Sequence, residues 1–136
     1  MGLEVTSTYI GALTVKNIHG PSGAEIKTTA PLDNGGTGDL FSPTDLIATS
    51  LGSCMLTIMG LYAENNGINI NEASVRVEKS MAANLRRISK LDAEFSLSSN
   101  LTDVERRKLE AAAKTCPVKQ SLHPETELVL KFNYNA

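Results

Sequence analysis

The chain has 136 residues, a formal net charge of −2 and only 4% aromatic residues. This length fits one domain over residues 1–136, with room for a hydrophobic core. The slightly acidic balance offers no basic surface to nucleic acid or an anionic membrane, and the few aromatic side chains disfavour a base-stacking platform.

Met1 is not followed by a basic start and an apolar run, so the sequence predicts no signal peptide and a cytoplasmic protein. In a reducing compartment the two cysteines are not expected to form a permanent disulfide. Redox chemistry and simple burial both stay open for them.

The N-terminal third predicts three strands in an antiparallel meander. Residues 3–9 and 12–18 alternate between apolar and polar side chains, and Gly11 supplies the turn between them. Residues 24–29 can form the third strand. The glycine-rich stretch 31–39 is interpreted as a loop, because no Gly-Lys-Ser/Thr follows it to make a phosphate cradle.

A long apolar helix is predicted after this loop. Ser42 is a good N-cap, Pro43 suits the first helical position, and Asp45 places a negative charge in the first turn. Its apolar stripe is spaced by threes and fours and consists of Ile47, Leu51, Cys54, Ile58 and Leu61. A helix that is apolar nearly all round must be buried in a core or in a bilayer. We expect a buried soluble helix and no membrane span, since the run is short, mid-chain and interrupted by Ser, Thr and Gly.

The second half of the chain predicts more strands and a capped helix. Residues 74–79 and 88–97 alternate as strands. Thr102 and Glu105 form a capping box that starts a helix running to about Lys114. The charged residues of this helix are interpreted as a solvated face; they are Arg106, Arg107, Lys108 and Glu110.

A second short helix is predicted within residues 115–122, capped by Thr115 or Cys116 and with Pro117 in its first turn. Residues 127–134 alternate as a last strand. The element order is βββ–α–ββ–αα–β. We therefore expect an α+β fold with antiparallel sheets and a long buried central helix.

Cys54 and Cys116 are the candidates for chemistry. Free N–H groups and the helix dipole favour the thiolate of a cysteine at a helix N-terminus, and Cys116 is placed for this. Burial in the middle of a helix disfavours the thiolate of Cys54. A metal site of Cys54, Cys116 and His123 is not expected, because no short paired spacing such as C-x-x-C is present. No cofactor is expected either.

Two segments together resemble the cysteine motifs of the OsmC/Ohr family, the osmotically inducible and organic hydroperoxide resistance proteins. Residues 42–54, Ser-Pro-Thr-Asp-Leu-Ile-Ala-Thr-Ser-Leu-Gly-Ser-Cys, are similar to the first motif. Residues 112–118, Ala-Ala-Lys-Thr-Cys-Pro-Val, are similar to the second. The resemblance implies an intertwined homodimer with its central helices face to face and two sites at the dimer interface.

The resemblance also implies a reaction. Cys54 matches the peroxidatic cysteine that attacks an organic hydroperoxide, and Cys116 matches the resolving cysteine that closes a disulfide. A dithiol or lipoyl-type donor would then reduce the disulfide.

The chain departs from the family pattern near its candidate supporting residues. Thr44 stands where family peroxidases carry a glutamate, and Asp45 is one residue further on. Family peroxidases also use an N-terminal arginine, whereas no arginine precedes Arg76 here. These departures leave an alternative open: an OsmC-fold dimer with little peroxidase activity that binds a small apolar ligand in its interface pocket.

Overall fold

The structure is a computed structural model and describes residues 2–136. The chain divides into two compact units, one ending at Leu46 and one beginning at Ile47. The strands are β1 Val5–Gly11, β2 Thr14–His19, β3 Glu25–Thr29, β4 Ser74–Ala82, β5 Arg87–Ser96 and β6 Glu127–Asn133. The helices are α1 Pro43–Asn65, α2 Asp103–Ala113 and α3 Pro117–Gln120, and a single 3-10 turn covers Leu32–Asn34. The predicted α+β class and element order are confirmed.

The first unit contains the antiparallel sheet β1-β2-β3. Its first hairpin turns at Ala12 and Leu13, whose φ angles are 55° and 57°. A two-residue hairpin loop of this type needs positive φ at both positions, which matches the twist of the strands. Gly11, which was expected to make the turn, lies instead at the edge of the hairpin beside a register shift. The predicted turn is therefore present, but one residue later in the chain.

The start of α1 is fixed by a reciprocal capping box. The Ser42 backbone N–H donates to Oδ2 of Asp45 at 2.9 Å, and the Asp45 N–H donates to Oγ of Ser42 at 3.1 Å. The Ser42 carbonyl accepts the first helical hydrogen bond, from Leu46, at 3.1 Å. These bonds satisfy N–H groups that a helix start otherwise leaves unpaired. The predicted N-cap is confirmed.

The second unit contains the sheet β4-β5-β6, which is mixed. Strands β4 and β5 are antiparallel, but β5 and β6 are parallel, with Leu91 opposite Leu128 and Phe95 opposite Phe132. The expectation of purely antiparallel sheets is wrong here. Parallel neighbours need a crossover connection, and α2 and α3 provide it between β5 and β6.

Helix α1 packs one face into the core of this second unit. Five of the residues on that face are buried hydrophobic members of the core cluster: Ala48, Leu51, Met55, Met59 and Ala63. On another face Ile47 is 40% exposed and Leu61 is 58% exposed. The expectation of a helix buried nearly all round is not confirmed, because one three-stranded sheet covers only one side of a helix. Within residues 2–136, α1 is long and apolar enough to cross a membrane by length and composition, a test that core helices of soluble proteins also pass.

The sheet contributes the apolar side chains that receive α1. Along β5 and just beyond it, Leu91, Ala93, Phe95 and Leu97 are all fully buried, as their alternation predicts. The rings of Phe95 and Phe132 stack with centroids 4.6 Å apart, which ties β6 to β5 inside the core.

Two glycines of α1 differ in how closely they approach the sheet. A Cβ at Gly52 would stand 3.0 Å from Cγ1 of Val75 and 3.2 Å from Cγ2 of Val77, whereas nothing lies within 4 Å of a Cβ at Gly60. Both alanine substitutions gain the same helix propensity, about 1 kcal/mol, but only the one at Gly52 crowds β4.

We therefore expect Gly60→Ala to raise the unfolding free energy measured by urea denaturation. The unfolding free energy of Gly52→Ala should be lower than that of Gly60→Ala by at least about 1 kcal/mol. Equal stability of the two variants would contradict close packing of α1 on β4 at Gly52.

Candidate functional site

Cys54 lies near the middle of α1 at the border between its buried and exposed faces. The residue is half-buried and packs against the core cluster. Ile47 and Leu61 are one heptad before and after it, so the three side chains share one stripe of the helix. The thiol is therefore next to the core and also next to the apolar surface that α1 leaves uncovered within one chain.

Cys116 lies in the crossover, at the N-cap of α3. Its side chain is fully buried, and its Sγ accepts a hydrogen bond from the Lys119 backbone N–H at 3.4 Å. Its own backbone N–H donates to the Ala113 carbonyl at the end of α2, at 3.2 Å. Pro117 occupies the first turn of α3, as predicted, and has no N–H that needs a partner. The link between α2 and α3 thus holds the sulfur in the core.

The fold brings the two cysteines together. Both cysteines are free of disulfides, and both belong to or pack against the same hydrophobic core. Burial raises the pKa of the Cys116 thiol, and the neighbouring Cys54 thiol raises it further. The predicted Cys116 thiolate is wrong: α3 has a single turn, and desolvation of the buried sulfur outweighs the backbone N–H groups that face it.

Thr44 and Asp45 belong to the start of α1, in the other compact unit. Asp45 takes part in the capping box with Ser42, and the hydroxyl of Thr44 lies 3.3 Å from that of Ser42. These contacts account for both residues as parts of a helix cap. A supporting role for them in catalysis stays a prediction.

Helix α2, which leads into Cys116, is anchored to the end of the chain by a cluster that the sequence did not reveal. The Tyr134 hydroxyl donates to Oε2 of Glu110 at 2.5 Å, and the Arg106 guanidinium stacks over the Tyr134 ring at 4.4 Å. Burial and the bond to Glu110 raise the pKa of Tyr134, which therefore stays a donor at alkaline pH. Arg106 and Glu110 were expected on a solvated face, and this expectation is wrong for both. Their spacing of four residues, on one side of α2, was the available signal.

A polar cleft in the second unit lies away from the cysteines. A polar cleft of about 690 Å³ lies among the loops after α1 and after β5, and Asn69, Asn100 and Glu105 are among the residues that line it. Neither cysteine borders it. Within residues 2–136, no group of three or more His, Cys, Asp or Glu side chains could hold a metal ion. The cysteine pair is therefore the feature on which a chemical function can rest.

The family model described as OsmC-like protein matches residues 36–131, well over half of the chain. The chain belongs to the OsmC-like family. A solved structure from Psychrobacter arcticus 273-4, named provisionally as an osmotic stress induced and detoxification response protein, is 41% identical. The alignment covers 98% of each chain with a TM-score of 0.92.

Two further OsmC-like structures share the fold at lower identity. The organic hydroperoxide resistance protein OsmC from Legionella pneumophila is 18% identical with a TM-score of 0.75, over 98% of this chain and 97% of that one. The organic hydroperoxide resistance protein OhrB of Bacillus subtilis is 16% identical with a TM-score of 0.65, over 98% of both chains. No curated protein matches the chain.

The raised pKa of Cys116 can be measured in a variant with one cysteine. Cys54→Ala removes the neighbouring thiol but leaves the Cys116 sulfur buried. The pKa of Cys116 should therefore fall from its value in the native chain and stay above the ordinary 9.0. Ultraviolet absorbance of the thiolate against pH gives this value, and unfolding in urea should return it to the ordinary range. A midpoint at or below 9.0 in the folded variant would contradict the burial of Cys116.

Proposed function

We propose that this protein reduces organic hydroperoxides by thiol chemistry, with Cys54 as the peroxidatic and Cys116 as the resolving cysteine. The observation that carries the proposal is the placement of the two thiols at one core: Cys116 is fully buried in it, and Cys54, the more exposed of the two, packs against it. The names of the Legionella and Bacillus proteins, which share the fold, support the same chemistry. The detoxification role in the name of the Psychrobacter relative fits it too.

The reaction has two steps on the protein. The Cys54 thiolate attacks the distal oxygen of the hydroperoxide, the O–O bond breaks, and the alkoxide leaves as an alcohol after taking a proton. Cys54 is then a sulfenic acid. The Cys116 sulfur attacks the Cys54 sulfur, the S–O bond breaks, and the hydroxide leaves as water with the thiol proton. A dithiol or lipoyl-type donor gives two electrons and two protons to the disulfide and restores both thiols.

The order of attack follows from solvent access. A fully buried Cys116 cannot meet a hydroperoxide before the half-exposed Cys54 does. The raised pKa of Cys116 also keeps that sulfur protonated while Cys54 reacts. The apolar side chains that flank Cys54 along α1, Ile47 and Leu61, favour organic peroxides over hydrogen peroxide.

The proposal includes a homodimer that covers this stripe. Exposed apolar side chains are concentrated on α1 and on the first sheet, where Val5, Tyr9 and Ile26 are each more than half exposed. Patches of this kind in a small protein mark interaction surfaces. A second copy would enclose Cys54 on its open side and supply the other wall of a substrate pocket.

The setting of the proposed reaction is the cytoplasm. A reducing compartment holds the dithiols that the second half of the cycle needs. With a net charge of −2, neither nucleic acid nor a membrane surface is proposed as a partner.

A second candidate function is binding of a small apolar ligand by a dimer with little peroxidase activity. The observation that favours it is the residue pattern: Thr44 replaces the family glutamate, and no arginine precedes Arg76. Without such a pair the Cys54 thiolate depends on other groups for its stability.

A peroxide assay separates the two functions. Reduced protein mixed with cumene hydroperoxide and a dithiol should consume peroxide over many turnovers and form the Cys54–Cys116 disulfide, seen by mass spectrometry. Cys54→Ser should abolish consumption, because the attacking sulfur is lost. Cys116→Ser should still react in a single turnover and then accumulate sulfinic acid at Cys54. Peroxide left untouched by the native chain would favour the ligand-binding function.

The dimer can be tested with a matched pair of leucines. Leu61, on the open face of α1, is 58% exposed, and Leu85, in the turn between β4 and β5, is 86% exposed. Leu61→Glu should weaken association at least about tenfold, because it would bury a charge in an apolar interface, whereas Leu85→Glu should leave it unchanged. Sedimentation velocity over a concentration series measures this. A native chain that sediments as a monomer would contradict the dimer.

A further inference from the structure

We propose that residues 133–136, which follow β6, form a strap that positions Cys116, and that the hydrogen bond from Tyr134 to Glu110 fastens this strap to α2. Tyr134 and Glu110 are then positioning residues for the resolving step, and they act on Cys116 through α2. This role in the reaction rests on the proposed function. The control of Cys116 exposure by the strap does not, because it exists without peroxide.

The backbone of the strap is fixed to the residues that follow β5. The Leu97 backbone N–H donates to the Asn133 carbonyl at 2.8 Å, and the Ala136 N–H donates to the Leu97 carbonyl at 3.1 Å. The Ser99 N–H donates to the Ala136 carbonyl at 3.2 Å. These bonds continue the pairing of β5 with β6 beyond both strands. The strap therefore has an attachment of its own in the sheet, separate from α2.

Tyr134 connects the strap to α2 through two contacts. Its hydroxyl donates to Oε2 of Glu110 at 2.5 Å, and the guanidinium of Arg106 lies 4.4 Å from the centre of its ring. Nε of Arg106 also donates to the Leu101 carbonyl at 2.9 Å, and its Nη2 donates to the Ser99 carbonyl at 3.0 Å. Arg106 therefore holds the first half of α2, and Glu110 holds the second half.

The burial of Cys116 depends on where α2 ends. Helix α3, of which Cys116 is the N-cap, has only four residues, and a helix of one turn has little stability of its own. The Cys116 backbone N–H donates to the Ala113 carbonyl, and the Lys114 N–H donates to the Glu110 carbonyl, both at 3.2 Å. Glu110 thus lies in the last turn of α2, just before the link that carries the sulfur. Its release would let this link open locally while the sheet stays folded.

The position of the Cys116 sulfur decides the outcome of the second step. The sulfenic acid at Cys54 has two fates: Cys116 closes the disulfide and water leaves, or a second hydroperoxide oxidises it to sulfinic acid and leaves as an alcohol. A resolving sulfur that is held in place has a high effective concentration, so disulfide formation prevails. A loosened crossover therefore gives more sulfinic acid at each turnover.

The exposure of Cys116 can be measured by alkylation with iodoacetamide in a Cys54→Ser background, followed by mass spectrometry. Tyr134→Phe removes the hydroxyl but keeps the ring beside Arg106, and it should speed alkylation of Cys116 at least about tenfold. Glu110→Ala should have the same effect. Glu110→Gln keeps an oxygen that accepts the hydrogen bond, and its rate should stay within about threefold of the native rate.

A matched control comes from another tyrosine. Tyr9 belongs to the first unit, and its hydroxyl accepts a hydrogen bond from the Leu13 N–H at 3.2 Å. Tyr9→Phe should leave the alkylation of Cys116 unchanged. The inference would be overturned by a native rate in Tyr134→Phe, by an equal acceleration in Tyr9→Phe, or by equal effects of Glu110→Gln and Glu110→Ala. Alkylation that rises with urea as steeply as global unfolding would overturn it too, since the opening would then not be local.

A peroxide titration of the chain with both cysteines tests the role in the reaction. Tyr134→Phe should consume the first equivalent of cumene hydroperoxide at the native rate but accumulate more sulfinic acid at Cys54 with each turnover, severalfold above the native chain. Glu110→Gln should restore the native yield. An unchanged yield in Tyr134→Phe would overturn the positioning role. A native chain that consumes no peroxide but shows the expected order of alkylation rates would refute the proposed function and leave the control of Cys116 exposure standing.

Discussion

Burial of one face of α1 against the sheet β4-β5-β6 is the contact from which the geometry of the site follows. Leu51, Met55 and Met59 are fully buried in this contact, and Gly52 lets the helix approach β4 closely. Cys54 lies beside that face, so the packing of α1 against the sheet determines how far the Cys54 side chain is buried. Because β6 joins β5 in parallel, the chain must cross over between them, and the crossover carries Cys116 back to α1.

Local signals predicted the elements well, whereas their pairing needed information from elsewhere in the chain. The capping residues Ser42 and Thr102 act within three residues of themselves, so the sequence alone places both helix starts. Alternation in β6 predicts a strand but not its direction, since parallel and antiparallel strands show the same period. The sequence of α2 has the same charge pattern whether water or Tyr134 faces its charged side chains. The prediction of a solvated face was wrong for Arg106 and Glu110 for this reason.

In the candidate site, too, local sequence predicted some features, whereas others depend on distant parts of the chain. Position at a helix N-terminus predicted a reactive Cys116, but the structure buries that sulfur completely, and desolvation decides its protonation. Contact between Cys54 and Cys116 could not be derived from their spacing and came from the resemblance to a family. The helix start that contains Thr44 and Asp45 could be predicted from the local sequence, but what these residues add to the chemistry could not.

The distance between the two cysteines along the chain links redox state to folding thermodynamics. A covalent bond between Cys54 and Cys116 would close a loop of about 60 residues and remove on the order of 4 kcal/mol of conformational entropy from the unfolded chain. The oxidised protein would then be the harder of the two forms to denature. In the proposed reaction, each turnover would convert the chain from the less stable reduced form to the more stable oxidised form and back. Heat or proteases would therefore act chiefly on the reduced form.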